Sequence, residues 1–94
     1  MRCVVEDDLF AARLRAIQPD VKRLDEMLDG WIFVLARDPF IYPAIRADMP
    51  SVRVMRTDRL AEAGLPALRV FYTVEETSVT LRFVEMVDLA DEED

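Results

Sequence analysis

Three arginines interrupt apolar runs in this chain of 94 residues: Arg53 in Val52-Arg-Val-Met55, Arg69 in Leu68-Arg-Val-Phe-Tyr72, and Arg82 in Thr80-Leu-Arg-Phe-Val84. A guanidinium presents five donors in a planar fork that matches phosphate or carboxylate bidentately. An aromatic ring beside such groups offers a surface on which a base can stack. With Phe71 among them, the three arginines have the residue types of a phosphate or single-strand nucleic-acid site. The competing reading is a solvated sheet face with local ion pairs, which is common in small α+β domains.

Other chemistries are excluded by what is missing. The chain has no histidine, which removes Ser-His-Asp and Cys-His catalysis, imidazole metal sites and the commonest general base. One cysteine, Cys3, leaves neither an internal disulfide nor a thiolate cluster for zinc or iron–sulfur, so no metal and no cofactor is expected. Its neighbours Val4 and Val5 predict a buried strand thiol rather than a nucleophile. The sole lysine, Lys22, belongs to a predicted helix.

Net charge is −7, which taken alone argues against a nucleic-acid partner. Its distribution changes that. The ten residues 85–94 hold six acids and no base, leaving thirteen acids against twelve bases before them. Eleven of those bases are arginine. The acidity is mostly a tail, 88–94, expected to be a solvated, frayed end. A sharper alternative has it fold over the arginine face and mimic phosphate.

The elements that must position the arginines follow from periodicity. Arg2 to Val5 reads as a short strand, and Asp7 or Asp8 as the cap of a helix over 9–16 whose apolar side is Leu9, Phe10, Leu14 and Ile17. Pro19 and Asp20 suit the first turn of a second helix. Val21, Leu24, Met27, Leu28, Trp31 and Leu35 carry its helical spacing up to Asp38-Pro39, with Gly30 a mild cost or a close-packing point. Residues 40–50 are irregular, and 52–57 form a strand. A connector over 58–66 carries one helical turn at 59–63, and a β-hairpin spans 68–85. The predicted fold is α+β: one domain, 1–94, with a small antiparallel sheet in β-α-α-β-β-β order and a helix pair on one face. The acids at 6–8 argue against a signal peptide, and no apolar run reaches membrane-spanning length; a cytoplasmic location is expected.

Alternation assigns the faces. Pairing Val74 with Val79 sets Tyr72 against Leu81 and Val70 against Phe83 on the core side. The open face then carries Arg69, Phe71 and Thr73 beside Thr80, Arg82 and Val84, with Phe71 opposite Arg82. Placing Val52 and Val54 in the core adds Arg53 and Met55 to the open face. Glu85 falls on the apolar side, so no general acid or base stands out. A one-residue slip would exchange the faces.

In this setting the chain resembles the RelE/ParE superfamily of bacterial toxin–antitoxin toxins. The resemblance rests on the helices ending in Ala36-Arg-Asp-Pro39, on Val52-Arg-Val-Met-Arg56, on Leu68-Arg-Val-Phe-Tyr72 and on Val79-Thr-Leu-Arg-Phe-Val84. It implies a sheet covered by helices on one face and a small antitoxin partner. In the RelE branch it implies endoribonuclease cleavage of messenger RNA on the ribosome, with translation inhibited. Attack of a ribose 2′-hydroxyl on the adjacent phosphate would be assisted by Arg69 and Arg82 as catalytic cations, with Arg53 and Phe71 binding RNA. Active members place a basic residue and then an aromatic at the end of the fourth strand, where this chain reads Glu85-Met-Val-Asp88. The alternatives are a non-enzymatic or inactive member of the same fold, acting by protein binding as in ParE-type inhibition of DNA gyrase, and an unrelated interaction module. The sequence leaves the oligomeric state open, a homodimer included.

Overall fold

The structure, a computed structural model, describes residues 1–21, 23–57 and 66–87. The 59–63 turn, the 88–94 tail and Lys22 lie outside the described residues. Among the described residues four strands and two helices follow in the expected order, with one short turn between the helices: β1 Cys3–Glu6, α1 Asp8–Ile17, a 3₁₀ turn Gln18–Asp20, α2 Leu24–Arg37, β2 Val52–Thr57, β3 Leu68–Val74 and β4 Ser78–Met86. No helix among the described residues is long and apolar enough to cross a membrane.

The sheet order is β1-β4-β3-β2. β2 and β3 pair antiparallel, as do β3 and β4, but β1 joins β4 in parallel, so the sheet is mixed rather than antiparallel throughout. The helix pair carries the chain from β1 across to β2, and β4 returns beside β1 in the same direction. Asp7 closes this corner twice. Its backbone N–H donates to the Leu81 carbonyl at 3.1 Å. Its side chain caps α1 by accepting from the Phe10 N–H at 2.8 Å, satisfying one of the donors a helix start leaves unpaired.

Pro19 does start a turn, but α2 begins five residues later than Pro19 suggests. Arg23 takes a left-handed backbone, φ 60°, and breaks the helical run before Leu24; its guanidinium then reaches Glu26 at 2.6 Å. The apolar faces meet the sheet as the spacing requires. Phe10, Ile17, Val21, Leu24, Trp31 and Leu35 pack with Met55, Leu68, Val70, Tyr72, Val74, Val79, Leu81 and Val84 in one core. Leu9 of the predicted apolar side is instead exposed. Gly30 is not a close-packing point, because a Cβ there would meet nothing within 4 Å. Cys3 is exposed, since the parallel edge strand turns it away from the core.

One irregularity decides which residues share the uncovered face. The β3–β4 register follows Val74↔Val79, Thr73↔Thr80 and Tyr72↔Leu81 and then shifts, giving Phe71↔Phe83, Val70↔Val84 and Arg69↔Glu85. Arg82 is the extra residue of a β-bulge, and beyond it every side chain of β4 exchanges faces relative to simple alternation. Val84 enters the core at 0% exposure in place of Phe83, and Glu85 moves to the open face.

Candidate functional site: a charged row on the open sheet face

Cross-strand partners lie on the same face, so the registers define rows. The open face carries three: Arg56–Arg69–Glu85, then Val54–Phe71–Phe83, then Val52–Thr73–Thr80. The first row is charged, the second aromatic and apolar, the third mostly hydroxyl. Phe71 and Phe83 approach with ring centroids 6.0 Å apart at 54°, a tilted pair. Arg13 of α1 reaches over the sheet edge beside them, with its Nε donating to the Val84 carbonyl at 3.3 Å and its guanidinium 4.9 Å from the Phe83 ring centroid.

In the charged row, Arg69 Nη2 contacts Glu85 Oε1 at 2.8 Å, with both side chains about one-third exposed or less (32% and 27%). Arg69 Nε is buried and has no hydrogen-bond partner. An unpaired buried donor costs about 1–3 kcal/mol, and more when charged, so this guanidinium is held at a cost to the fold. Arg56 is exposed and directly opposite Arg69. Between them and the 43–45 segment lies an open groove of about 410 Å³, lined also by Val54 and Phe71. That segment edges β2 through the Ile45 N–H to the Val52 carbonyl (3.0 Å) and the Val54 N–H to the Pro43 carbonyl (3.2 Å).

Only two of the four sequence-predicted site residues, Arg69 and Phe71, share this groove. Arg53 does not. It pairs with Tyr72 and therefore stands on the helix side of the sheet. There it donates to the carbonyls of Tyr42 at 2.6 Å, Pro50 at 2.9 Å and Phe40 at 3.4 Å, and lies 4.7 Å over the Phe40 ring. Val54 and Met55 correspondingly exchange the faces expected of them, and Met55 is in the core.

Arg82 is on the open side but not opposite Phe71. It donates to Thr73 Oγ1 at 3.0 Å and approaches Asp7 and Glu75 at 3.4 Å each. Thr73 is four residues along β3 from Arg69, roughly 13 Å away at strand rise, so Arg69 and Arg82 flank the aromatic row rather than converge. Sequence reasoning missed Arg56 and Glu85. The signals were present as adjacent apolar pairs, Val54-Met55 and Phe83-Val84, at which strict alternation must fail on one side.

Tyr72, the other buried polar side chain near these strands, is structural. It is 0% exposed and donates to the Pro39 carbonyl at 2.6 Å, and burial pushes its phenol up to about 12 against a partial opposing pull from Arg53. Among the described residues no group of three or more Cys, Asp or Glu side chains is placed to hold a metal ion.

A mixed four-stranded sheet with two helices on one face is the RelE/ParE-like fold. Two solved structures bear this out. A complex of a mutant E. coli toxin RelE with a peptide of the antitoxin RelB superposes at TM-score 0.71 and 15% identity, covering 98% of this chain and 90% of that one. The chromosomal ParDE toxin–antitoxin system of P. aeruginosa superposes at 0.60 and 14%, covering 94% and 98%. No family model matches the sequence, and no curated protein does. The chain thus has the RelE/ParE toxin fold, shared by shape at an identity too low to carry residue roles across.

Proposed function

We propose that this chain is the toxin of a toxin–antitoxin pair, and that the Arg56–Arg69 groove grips a phosphodiester of messenger RNA on the ribosome and promotes its cleavage. The observation that carries this reading is the charged row. Two arginines directly opposite one another destabilise a sheet, and Glu85 offsets only one of them. The surplus positive charge of two guanidiniums at one groove suits an anion with several acceptor oxygens, which a phosphodiester is. Charge that grows on its oxygens during 2′-hydroxyl attack would be met by donors already in place. Phe71 and Phe83, one row along, offer rings to an unstacked base, and single-stranded RNA is read in this way. Arg82, beyond the aromatic row, serves in this reading as a contact to a second phosphate; Arg53, tied through Nε and Nη1 to three carbonyls, acts by holding the 40–50 segment.

The partner proposed is a small antitoxin, as in both neighbouring complexes, and no cofactor is required. The second reading is a ParE-type toxin that binds DNA gyrase without cleaving anything; the ion pair that occupies Arg69 favours it. Expression in bacteria separates the two. Growth arrest with transcripts cut at ribosomes, abolished by Arg69→Ala in a chain that still folds, supports RNA cleavage. Arrest with DNA damage and intact transcripts supports the gyrase reading. Harmless expression of the wild type overturns both.

A further inference from the structure

The bulge at Arg82 has a chemical consequence. It turns Glu85 from the core side to the open face and sets its carboxylate against Arg69, the residue proposed to hold the scissile phosphate. From this placement we infer that Glu85 is the proton acceptor of the cleavage reaction, a catalytic residue in the RNA-cleaving reading on which this inference rests. With no histidine in the chain, and with Tyr72 buried and donating to Pro39, Glu85 is the described Brønsted group that touches the phosphate-binding arginine.

The geometry fits the role in three respects. The ion pair engages Oε1, and a carboxylate has two oxygens with about four lone-pair sites, so one contact to Arg69 leaves acceptor capacity for a hydroxyl. Glu85 lies beside Arg69 on the side away from Arg56 and outside the groove lining, so the role requires a phosphate held at Arg69 whose ribose extends across that guanidinium toward the carboxylate. Its side chain is 27% exposed, open to substrate yet partly withdrawn from water.

The step balances without a metal or a redox partner. The 2′-oxygen forms a bond to phosphorus as its proton passes to Glu85, and the bond from phosphorus to the 5′-oxygen breaks. The 5′-oxygen takes a proton from water, leaving a 2′,3′-cyclic phosphate and a 5′-hydroxyl. Arg69 and Arg56 hold the non-bridging oxygens throughout.

Glu85→Gln is the discriminating variant, because an amide oxygen still accepts from Arg69 while the side chain no longer takes a proton. On ribosomes programmed with a defined messenger, single-turnover cleavage should fall roughly 10²- to 10⁴-fold. Affinity for a 2′-deoxy version of the same messenger, which binds but cannot react, should hold or rise. Glu85→Asp, which keeps a carboxylate on a shorter arm, should recover part of the rate and guards against a folding defect in the glutamine variant. Wild-type cleavage by Glu85→Gln overturns the assignment and leaves the RNA reading standing. Faster cleavage with tighter binding overturns it in favour of a carboxylate that merely blocks the groove. A wild type that binds programmed ribosomes without cutting overturns the RNA-cleaving reading and this inference together.

Discussion

Arg53 on β2 and Arg69 on β3 look alike in the sequence, each a lone cation in an apolar strand, yet they stand on opposite faces of the sheet and in opposite states of satisfaction. Arg53 spends its donors on three backbone carbonyls of the 40–50 segment and rests on Phe40. Arg69 has one carboxylate partner and a buried N–H with none. An arginine tied by three bonds to its own backbone is part of the scaffold. One left short of acceptors beside a groove is equipped to receive an anion. The difference lies in neither residue type nor strand propensity, only in what the opposite strand and the adjoining loop bring to the guanidinium.

Substituting each arginine by alanine should therefore break different things. On the RNA-cleaving reading proposed above, Arg69→Ala should reduce cleavage by roughly 10²- to 10³-fold, the effect of removing one preorganised donor from a developing oxyanion. Its effect on stability should stay below about 1 kcal/mol, since a partly exposed ion pair contributes little. Cleavage assays paired with urea denaturation check both halves; a large stability loss with activity retained would reverse the assignment. Arg53→Ala should do the converse. Losing charge-assisted bonds to three carbonyls should cost about 2 kcal/mol, or roughly 10 °C in Tm for a domain of this size. Cleavage per folded molecule should be nearly unchanged.

Much of this contrast was hidden from the sequence for a local reason. The element order, the hairpin, the Asp7 cap and the core faces of both helices follow from periods of two and 3.6 and from side chains that announce caps and turns. The faces of β2 and the distal half of β4 do not. Val52-Arg-Val-Met-Arg56 fits either phase, and the phase is fixed by pairing with β3, which sets Met55 beside Val70 in the core and turns Arg53 toward the 40–50 carbonyls. The bulge carries no glycine to mark it. It is enforced by tertiary packing that draws Val84 rather than Phe83 beside Val70. Arg69 and Phe71 were legible because β3 alternates without interruption, as its burial pattern confirms; Arg56 and Glu85 needed the register.

Tyr72 sharpens the same comparison from the scaffold side, because it is Arg53's cross-strand partner and anchors the start of the same loop. Tyr72→Phe leaves the Pro39 carbonyl without its donor and should cost about 1–2 kcal/mol while sparing cleavage. The wild type should also show alkaline sensitivity that the phenylalanine variant lacks. The folded-state phenol is raised to about 12, above the ordinary value of 10.0, so its contribution is intact below pH 10 and drains as pH rises from 10 toward 12. Guanidinium titrations at pH 8, 10 and 11.5 read this directly. Equal pH slopes for the two proteins would show that Tyr72 is not the group responsible.

The smallest expected effect lies outside both arginine regions and tests whether scaffold and site are separable at all. Gly30 sits in the middle of α2, exposed, with ordinary helical backbone and open space where a Cβ would be. Alanine there removes backbone freedom from the unfolded chain without meeting a neighbour, so Gly30→Ala should stabilise by about 0.5–1 kcal/mol. If Arg53 acts only through stability, Gly30→Ala combined with Arg53→Ala should recover part of the lost Tm additively, since among the described residues the two sites share no hydrogen-bond or ring partner. Combined with Arg69→Ala it should raise Tm by the same amount and restore no cleavage. Partial recovery of cleavage in that second pair would mean that Arg69, too, had been supporting the fold, and the distinction between a backbone-tied and a groove-facing arginine would lose its functional meaning.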